Sequence, residues 1–347
     1  MSLRLGPRPG VRLRGTGAAS PADLPGAGPG RVLTNAAVYE RLLGPDFRAE
    51  LDRRGWTVDH PERRHGIRTR QWVAGESSED LAALAARRAL DDAALAPAEL
   101  DVLLVATSTP GRITRSAASA VGGALGLGCP CLDVRAGGSG GLYAWLDALG
   151  WLALGARTAL VVAAETPSRY LDPADLATAV VYGDAAGALV LERGDPGSGP
   201  PPGLLGAVLG NALLPGRPFT VPGPLPPEVG PSYTFQRPDA PYAEGLAREW
   251  RATCRRLREA FPAPCEAVGS FVPYAVTRGQ VEAAAGAFGA GDGRTVDELE
   301  ERGCTGSAGP LAALHAARSR GRATAGETLA LVSVAGGVAW VGMLWRM

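Results

Sequence analysis

The chain has 347 residues, 46% of them hydrophobic and 20% charged, and its 35 basic and 35 acidic side chains cancel. This is enough apolar material for one large or two smaller cores, and the balanced charge gives no electrostatic case for a nucleic-acid partner. No apolar run reaches the ~20 residues of a membrane span, and Met1 to Gly10 lacks the apolar centre of a secretion signal, so a cytoplasmic protein that does not engage a membrane is expected.

In chain order, Val11 to Leu13 reads as a first strand, Gly15 to Gly30 as a loop and Val38 to Leu43 as a short helix. Ser77-Ser78-Glu79-Asp80 carries the signature of a capped helix start, followed by an apolar face of Leu81, Leu84, Ala85 and Ala89. Val102 to Ala106 is a continuous apolar run suited to a strand buried on both faces, and so are Ala159 to Ala164 and Leu189 to Leu191. Cys131 to Val134 reads as another strand, Arg135 to Gly141 as a glycine-rich turn and Leu142 to Leu154 as an apolar helix. Gly194 to Pro238 is dense in Gly and Pro and predicts a long irregular excursion, either a surface connection or a pocket-lining loop.

Alternation of helices with buried strands predicts an α/β layered fold. The chain also echoes itself. Gly138-Ser139-Gly140-Gly141, a helix and the strand Ala159 to Ala164 return as Gly306-Ser307-Ala308-Gly309, a helix from Leu311 to Ser319 and a strand from Leu329 to Val334, which points to internal duplication. The division expected is an N-terminal half over 1–195 and a C-terminal half over 196–347, the latter beginning with the excursion to about 238.

Every basic residue other than the 3 histidines is arginine, so a lysine Schiff base is excluded. The five cysteines (Cys129, Cys131, Cys254, Cys265, Cys304) lack the spacing and histidine neighbours of a metal site, and free thiols without a structural metal are expected.

The strand, glycine turn and apolar helix around Gly138 form a corner whose first helical amides have no intrahelical acceptors and lie at the positive end of the helix dipole. A thiolate or oxyanion is stabilised at such a place. The segment resembles the β-ketoacyl-acyl-carrier-protein synthase III family of the thiolase superfamily, in which Gly138 falls on the catalytic cysteine. The resemblance continues through Gly66-Ile67-Arg68, Val105 to Pro110, Tyr182 to Ala188, and Ala335-Gly336-Gly337 with Trp340. It places Tyr274, in Val272-Pro273-Tyr274-Ala275-Val276-Thr277, on the family's histidine and Cys304, in Gly303-Cys304-Thr305-Gly306-Ser307, on its asparagine. The resemblance implies a five-layered αβαβα thiolase fold of two similar halves, and a subunit contact built around Leu100 to Leu154.

It also implies candidate roles. The Gly138 amide, with a second from Gly336 or Gly337, suits a thioester carbonyl oxygen, or else these glycines only permit close packing. Ser139 is a replacement nucleophile or a helix cap, and Cys304 an acyl acceptor or a small buried hydrophobe. Tyr274 fills space or donates one hydrogen bond, its phenol being a poor base at neutral pH. Trp56 and the arginines 53, 54, 63, 64, 68 and 70 resemble the family region that receives the nucleotide or phosphopantetheine of the acyl carrier, Arg68 foremost, or form a solvated face. Asp184 and Glu165 are expected to hold turns.

Two functions follow as expectations. The first is an acyltransferase acting on acyl-CoA or acyl carrier protein without a cysteine-bound intermediate at 138, in which coenzyme A or phosphopantetheine belongs to the substrate and no other cofactor is needed. The second is a catalytically silent subunit that pairs with an active ketosynthase homologue. The protein is thus expected to be a homodimer or a heterodimer.

Overall fold

The computed structural model describes residues 2–194, 200–220, 235–274, 276–291 and 293–347. The strands in chain order are β1 (Leu3–Leu5), β2 (Arg8–Pro9), β3 (Val11–Ala19), β4 (Val32–Thr34), β5 (Thr69–Gln71), β6 (Val102–Ala106) and β7 (Cys131–Val134). They continue with β8 (Thr158–Glu165), β9 (Ala185–Arg193), β10 (Gly203–Asn211), β11 (Val268–Pro273), β12 (Thr328–Val334) and β13 (Ala339–Arg346).

Two sheets carry the fold. One has the order β3-β9-β8-β6-β7 and the other β1-β10-β13-β12-β11, with β2 also pairing to β10. β6, β8, β9 and β12 are buried nearly end to end, as their unbroken apolar runs require. The helices Gly140–Ala153 and Gly309–Ser319 lie between the sheets, where Leu142, Trp145, Leu311 and Leu314 share one core with Val161, Leu331 and Trp345. Ser78–Asp92 and Ala117–Leu125 cover the outer face of the first sheet through a second core. Ala240–Ala260 and Arg278–Phe288 cover the second sheet through a third. The result is the expected αβαβα sandwich.

The duplication is visible element by element: β3, β6, β8 and β9 correspond in order and layer to β10, β11, β12 and β13, with the helices between them in step. Among the described residues β7 has no full counterpart, its place beside β11 holding the parallel bridge between Phe271 and Thr295. β1 and β2 come from the first nine residues of the chain yet join the second sheet, crossing the division placed at 195.

Three expectations are corrected. Gly15 and Gly17 belong to β3, which runs to Ala19, and are not loop glycines. The Ser78–Asp92 helix presses against this strand so closely that a Cβ at position 15 would lie 2.5 Å from Ala89 O, so glycine here serves packing. The stretch Gly194 to Pro238 contains the nine-residue strand β10, whose Gly206 leaves room for the Phe261 ring. Its residues 195–199 and 221–234 lie outside the described residues. The helix read as Val38 to Leu43 starts at Asn35, behind a Thr34 side chain that accepts from Ala37 N. The reciprocal Ser77 and Asp80 cap is present.

Candidate active site

After β7 the chain reverses through a tight turn, Gly137–Ser139, and enters the helix at Gly140. Gly137 has φ +55°, and Gly306 has the same φ in the twin turn Gly306–Ala308 of the second half. The two turns meet because the helices behind them cross on small residues: a Cβ at Gly141 would lie 2.5 Å from Leu311 Cδ1 and 2.6 Å from Ser307 O. This crossing, between residues far apart in sequence, assembles one site from both halves.

Gly138 borders a cavity of about 470 Å³ that is also lined by Tyr274, Glu165, Gly336 and Gly337. Tyr274 follows β11 directly, its amide donating to Val332 O at 2.8 Å, and its ring stacks 6.4 Å from Trp250. That ring stands where a side chain at 138 would be: an added Cβ would lie 2.6 Å from Tyr274 Cζ and 2.8 Å from its Oη. On its other side Tyr274 Oη is 3.6 Å from Cys304 Sγ. Gly138, Tyr274 and Cys304 therefore meet in a row.

Burial holds the Tyr274 phenol and the Cys304 thiol protonated. The Tyr274 phenol is pushed well above its ordinary value by burial first and then by Cys304 and Tyr182. Burial pushes the Cys304 thiol up to about 11, against smaller opposite effects of the Gly306 amide and Tyr274 hydrogen bonds. Cys304 is 1% exposed, outside the cavity lining, and tied through its backbone to Val181 O and Gly183 N. It sits behind Tyr274 as a buried thiol with little thiolate character.

Ser139, one residue from the corner, is also buried. Its hydroxyl bonds Ser333 Oγ and Ala339 O, both at 2.9 Å, and makes no helix-capping bond. In place of the expected cap, the hydroxyl ties the central helix to the β12–β13 hairpin. Gly336 and Gly337 form the turn of that hairpin, and Gly336 O accepts from the Tyr242 hydroxyl at 2.8 Å.

Trp56 does not reach the cavity lining. It stacks on His60 with ring centroids 4.2 Å apart, next to a helix start at Asp59. Arg68 pairs with Glu300 at 3.0 Å, Arg53 and Arg54 pair with Glu50, and Arg63 pairs with Asp59. Arg70 is wholly buried, bonded to Asn35 Oδ1 and Val180 O, and so drops out of any phosphate-facing cluster. The family resemblance grouped it with Arg68, but Arg70 lies inside β5 with its side chain in the interior beside Asn35, whereas Arg68 precedes the strand and stays exposed. None of the three histidines lines the cavity, and burial lowers all three, His65 to about 4.

Glu165 carries more than a turn. It is 3% exposed at the end of β8 and borders the cavity, where Gly306 leaves room for its side chain. Both carboxylate oxygens accept from Ser108 N at 3.1 Å, and the Thr109 and Ser307 hydroxyls each donate at 2.6 Å. Burial raises its pKa in spite of those donors. Asp184, by contrast, lies outside the lining and joins Val73 N to Ser168 N and Oγ, as a turn-holding residue does. Sequence reading also missed Phe219 and Phe235, whose rings stack at 4.8 Å and continue to Tyr182 along the wall. Their position flanking a Gly- and Pro-rich stretch was the only signal available.

The cavity thus joins an aromatic wall, glycine amides at a helix start, a protonated phenol and one buried carboxylate. Such a place suits an uncharged acyl group with a polarisable carbonyl. Among the described residues, no three His, Cys, Asp or Glu side chains stand together as metal ligands, and no helix is long and apolar enough to cross a membrane.

Residues 132–210 match the family model of 3-oxoacyl-[acyl-carrier-protein (ACP)] synthase III, and residues 264–347 match the model of its C-terminal part. A β-ketoacyl-[acyl-carrier-protein] synthase III of Streptomyces coelicolor is 36% identical over 306 residues, 84% of this chain and 90% of the relative. The chain belongs to the β-ketoacyl-acyl-carrier-protein synthase III family. The synthase III of Neisseria gonorrhoeae is 34% identical over 289 residues, 81% of this chain and 88% of the relative. Among solved structures, the synthase III of Aquifex aeolicus superimposes with a TM-score of 0.81 at 25% identity, covering 97% of this chain and all of that one. The two matched models stop short of the segment from 211 to 263, which supplies Phe219, Phe235 and Trp250 to the cavity. The wall facing Tyr274 therefore comes partly from a segment outside both matched models.

Proposed function

We propose that the protein is an acyltransferase that moves an acyl group from a coenzyme A or carrier-protein thioester directly to a bound hydroxyl or amine, with no acyl-enzyme at position 138. The observation that carries this reading is the occupation by Tyr274 of the space a side chain at 138 would need. In this reading Gly138, Tyr274 and Cys304 stand at the positions where the family carries cysteine, histidine and asparagine, and they have changed together. A thioester carbonyl bound at the corner receives the Tyr274 hydroxyl as donor. The Gly138 and Gly337 amides are the further donors, and the acceptor attacks in place, so that proximity supplies a large part of the rate. The names of the relatives, which speak of an acyl carrier protein, support a carrier-bound acyl group as the substrate class, and coenzyme A or phosphopantetheine as its handle belongs to the proposal.

The second reading is a silent subunit paired with an active homologue. It is favoured by one observation: β7, next to the corner, is a sheet edge with Leu132 38% exposed, a surface able to receive another chain. One experiment separates the two. The purified protein is incubated with a panel of acyl-CoA thioesters and with amine or alcohol acceptors, while free thiol and intact protein mass are followed. Thiol release from unmodified protein is expected. Absence of release, together with copurification of a stoichiometric homologue, overturns the transferase reading.

A further inference from the structure

Direct transfer needs a group that removes a proton from the attacking hydroxyl or amine. Among the described residues, the titratable side chains lining the cavity are Arg135, Glu165, Tyr182, Arg237 and Tyr274. Guanidinium groups do not accept protons. Both phenols are held protonated by burial and can only donate at neutral pH. The histidines lie elsewhere and the Cys304 thiol is behind Tyr274. Glu165 remains.

Its surroundings suit the task. The carboxylate is fixed by one amide that spans both oxygens and by the Thr109 and Ser307 hydroxyls, one on each oxygen. A hydroxyl can turn from donor to acceptor, so when the carboxylate takes a proton either neighbour can rotate and keep the site satisfied. The Tyr170 and Tyr274 phenols and the Cys304 thiol face it, all kept protonated by burial, and although Arg135 and Arg237 line the same cavity, neither forms a salt bridge with it among the described residues. It also touches both halves, through Thr109 in the loop after β6 and Ser307 from the twin turn.

We propose that Glu165 is the catalytic base and acid of this transfer, a proposal that rests on the direct-transfer reading. As the acceptor oxygen or nitrogen forms its bond to the thioester carbon, its proton passes to Glu165. When the carbon–sulfur bond breaks, the same proton passes to the departing thiolate, so the products are the acylated acceptor and a free thiol and the carboxylate is restored.

The test compares acceptors that do and do not need a base. Hexanoyl-CoA is the donor, ethanol the acceptor that must lose a proton, and hydroxylamine the acceptor that attacks unaided; thiol release is followed across pH with the full chain. Glu165→Gln is expected to lower ethanol transfer by about 10² to 10⁴-fold, while hydroxylamine transfer falls by less than about tenfold. Wild-type ethanol transfer is expected to rise with pH through a carboxylate titrating above the ordinary glutamate range, and the variant to lose that rise. Equal loss in both arms, or no loss in either, overturns the proposal. Thr109→Val keeps the carboxylate but removes one donor to it, so the inflection of the pH profile moves up; an unmoved inflection overturns the proposal even if Glu165→Gln does not fold. If wild type releases no thiol with hydroxylamine either, the direct-transfer reading itself falls, and the role of Glu165 with it.

Discussion

Tyr274 and Gly138 share one volume: a Cβ at 138 would lie 2.6 Å from Tyr274 Cζ, 2.8 Å from Oη and 2.9 Å from Cε1. Trp250 stacks beside the ring and Cys304 sits at its hydroxyl, while the ring also borders the cavity. Packed interiors resist added atoms, so ring and side chain exclude one another.

Gly138→Cys is therefore expected to destabilise the protein by about 1–3 kcal/mol, as overpacking does. Adding Tyr274→His should return much of that loss, giving a non-additive double-mutant cycle in urea unfolding. The single variant should make no β-ketoacyl product from malonyl-carrier, because positions 274 and 304 still carry tyrosine and cysteine. Product formation by the single variant, or full additivity of the pair, refutes this.

No acyl adduct is expected on the wild-type protein after incubation with acyl thioesters, because Gly138 has no side chain and burial keeps the Cys304 thiol protonated, with a pKa of about 11. Intact mass reports the result. A shift of one acyl group that vanishes in Cys304→Ala would show that this thiol is reached, and one that vanishes only in Ser139→Ala would place it on the neighbouring hydroxyl.

Asp184 gives stability a pH dependence of known sign. Burial raises its carboxyl from 3.8 to about 6 in the folded chain, overcoming the Ser168 and Val73 donors. A carboxyl raised on folding contributes most at low pH, and its contribution is lost as pH rises through the folded value. Relative to Asp184→Asn, wild type should lose about 2 kcal/mol between pH 4.5 and 7.5. Urea melts of both proteins at the two pH values check it, and a difference that stays constant or grows the other way contradicts it.

The protein is expected to be a dimer, formed through the open edge of β7, where Leu132 is 38% exposed and Asp133 is engaged in capping the Ala117–Leu125 helix. Light scattering at micromolar concentration should report two chains, and Leu132→Arg should shift the population toward one by placing like charges across the edge. A wild-type monomer in the absence of a partner rules out the homodimer.

The sequence by itself determined the layered α/β class, the duplication, the buried strands and the corner at Gly138, because each is written in local periodicity, in glycines at turns, or in a repeated string such as Gly138-Ser139 and Gly306-Ser307. That Tyr274 and Cys304 lie close together came from the family resemblance, and the structure brings the two side chains to 3.6 Å. Only the tertiary structure decided what that site is. Glu165 looks like the end of a strand until Ser108, Thr109 and Ser307 close on it from both halves. Arg70 looks like a neighbour of Arg68 until the fold buries one and exposes the other. Gly15 and Gly17 read as loop because helix packing, which selects them, acts at a separation of about seventy residues. The exclusion between Gly138 and Tyr274 spans more than a hundred residues and depends on ring placement to a fraction of an ångström. Burial and contact across such distances are properties of the packed chain, and no local pattern encodes them.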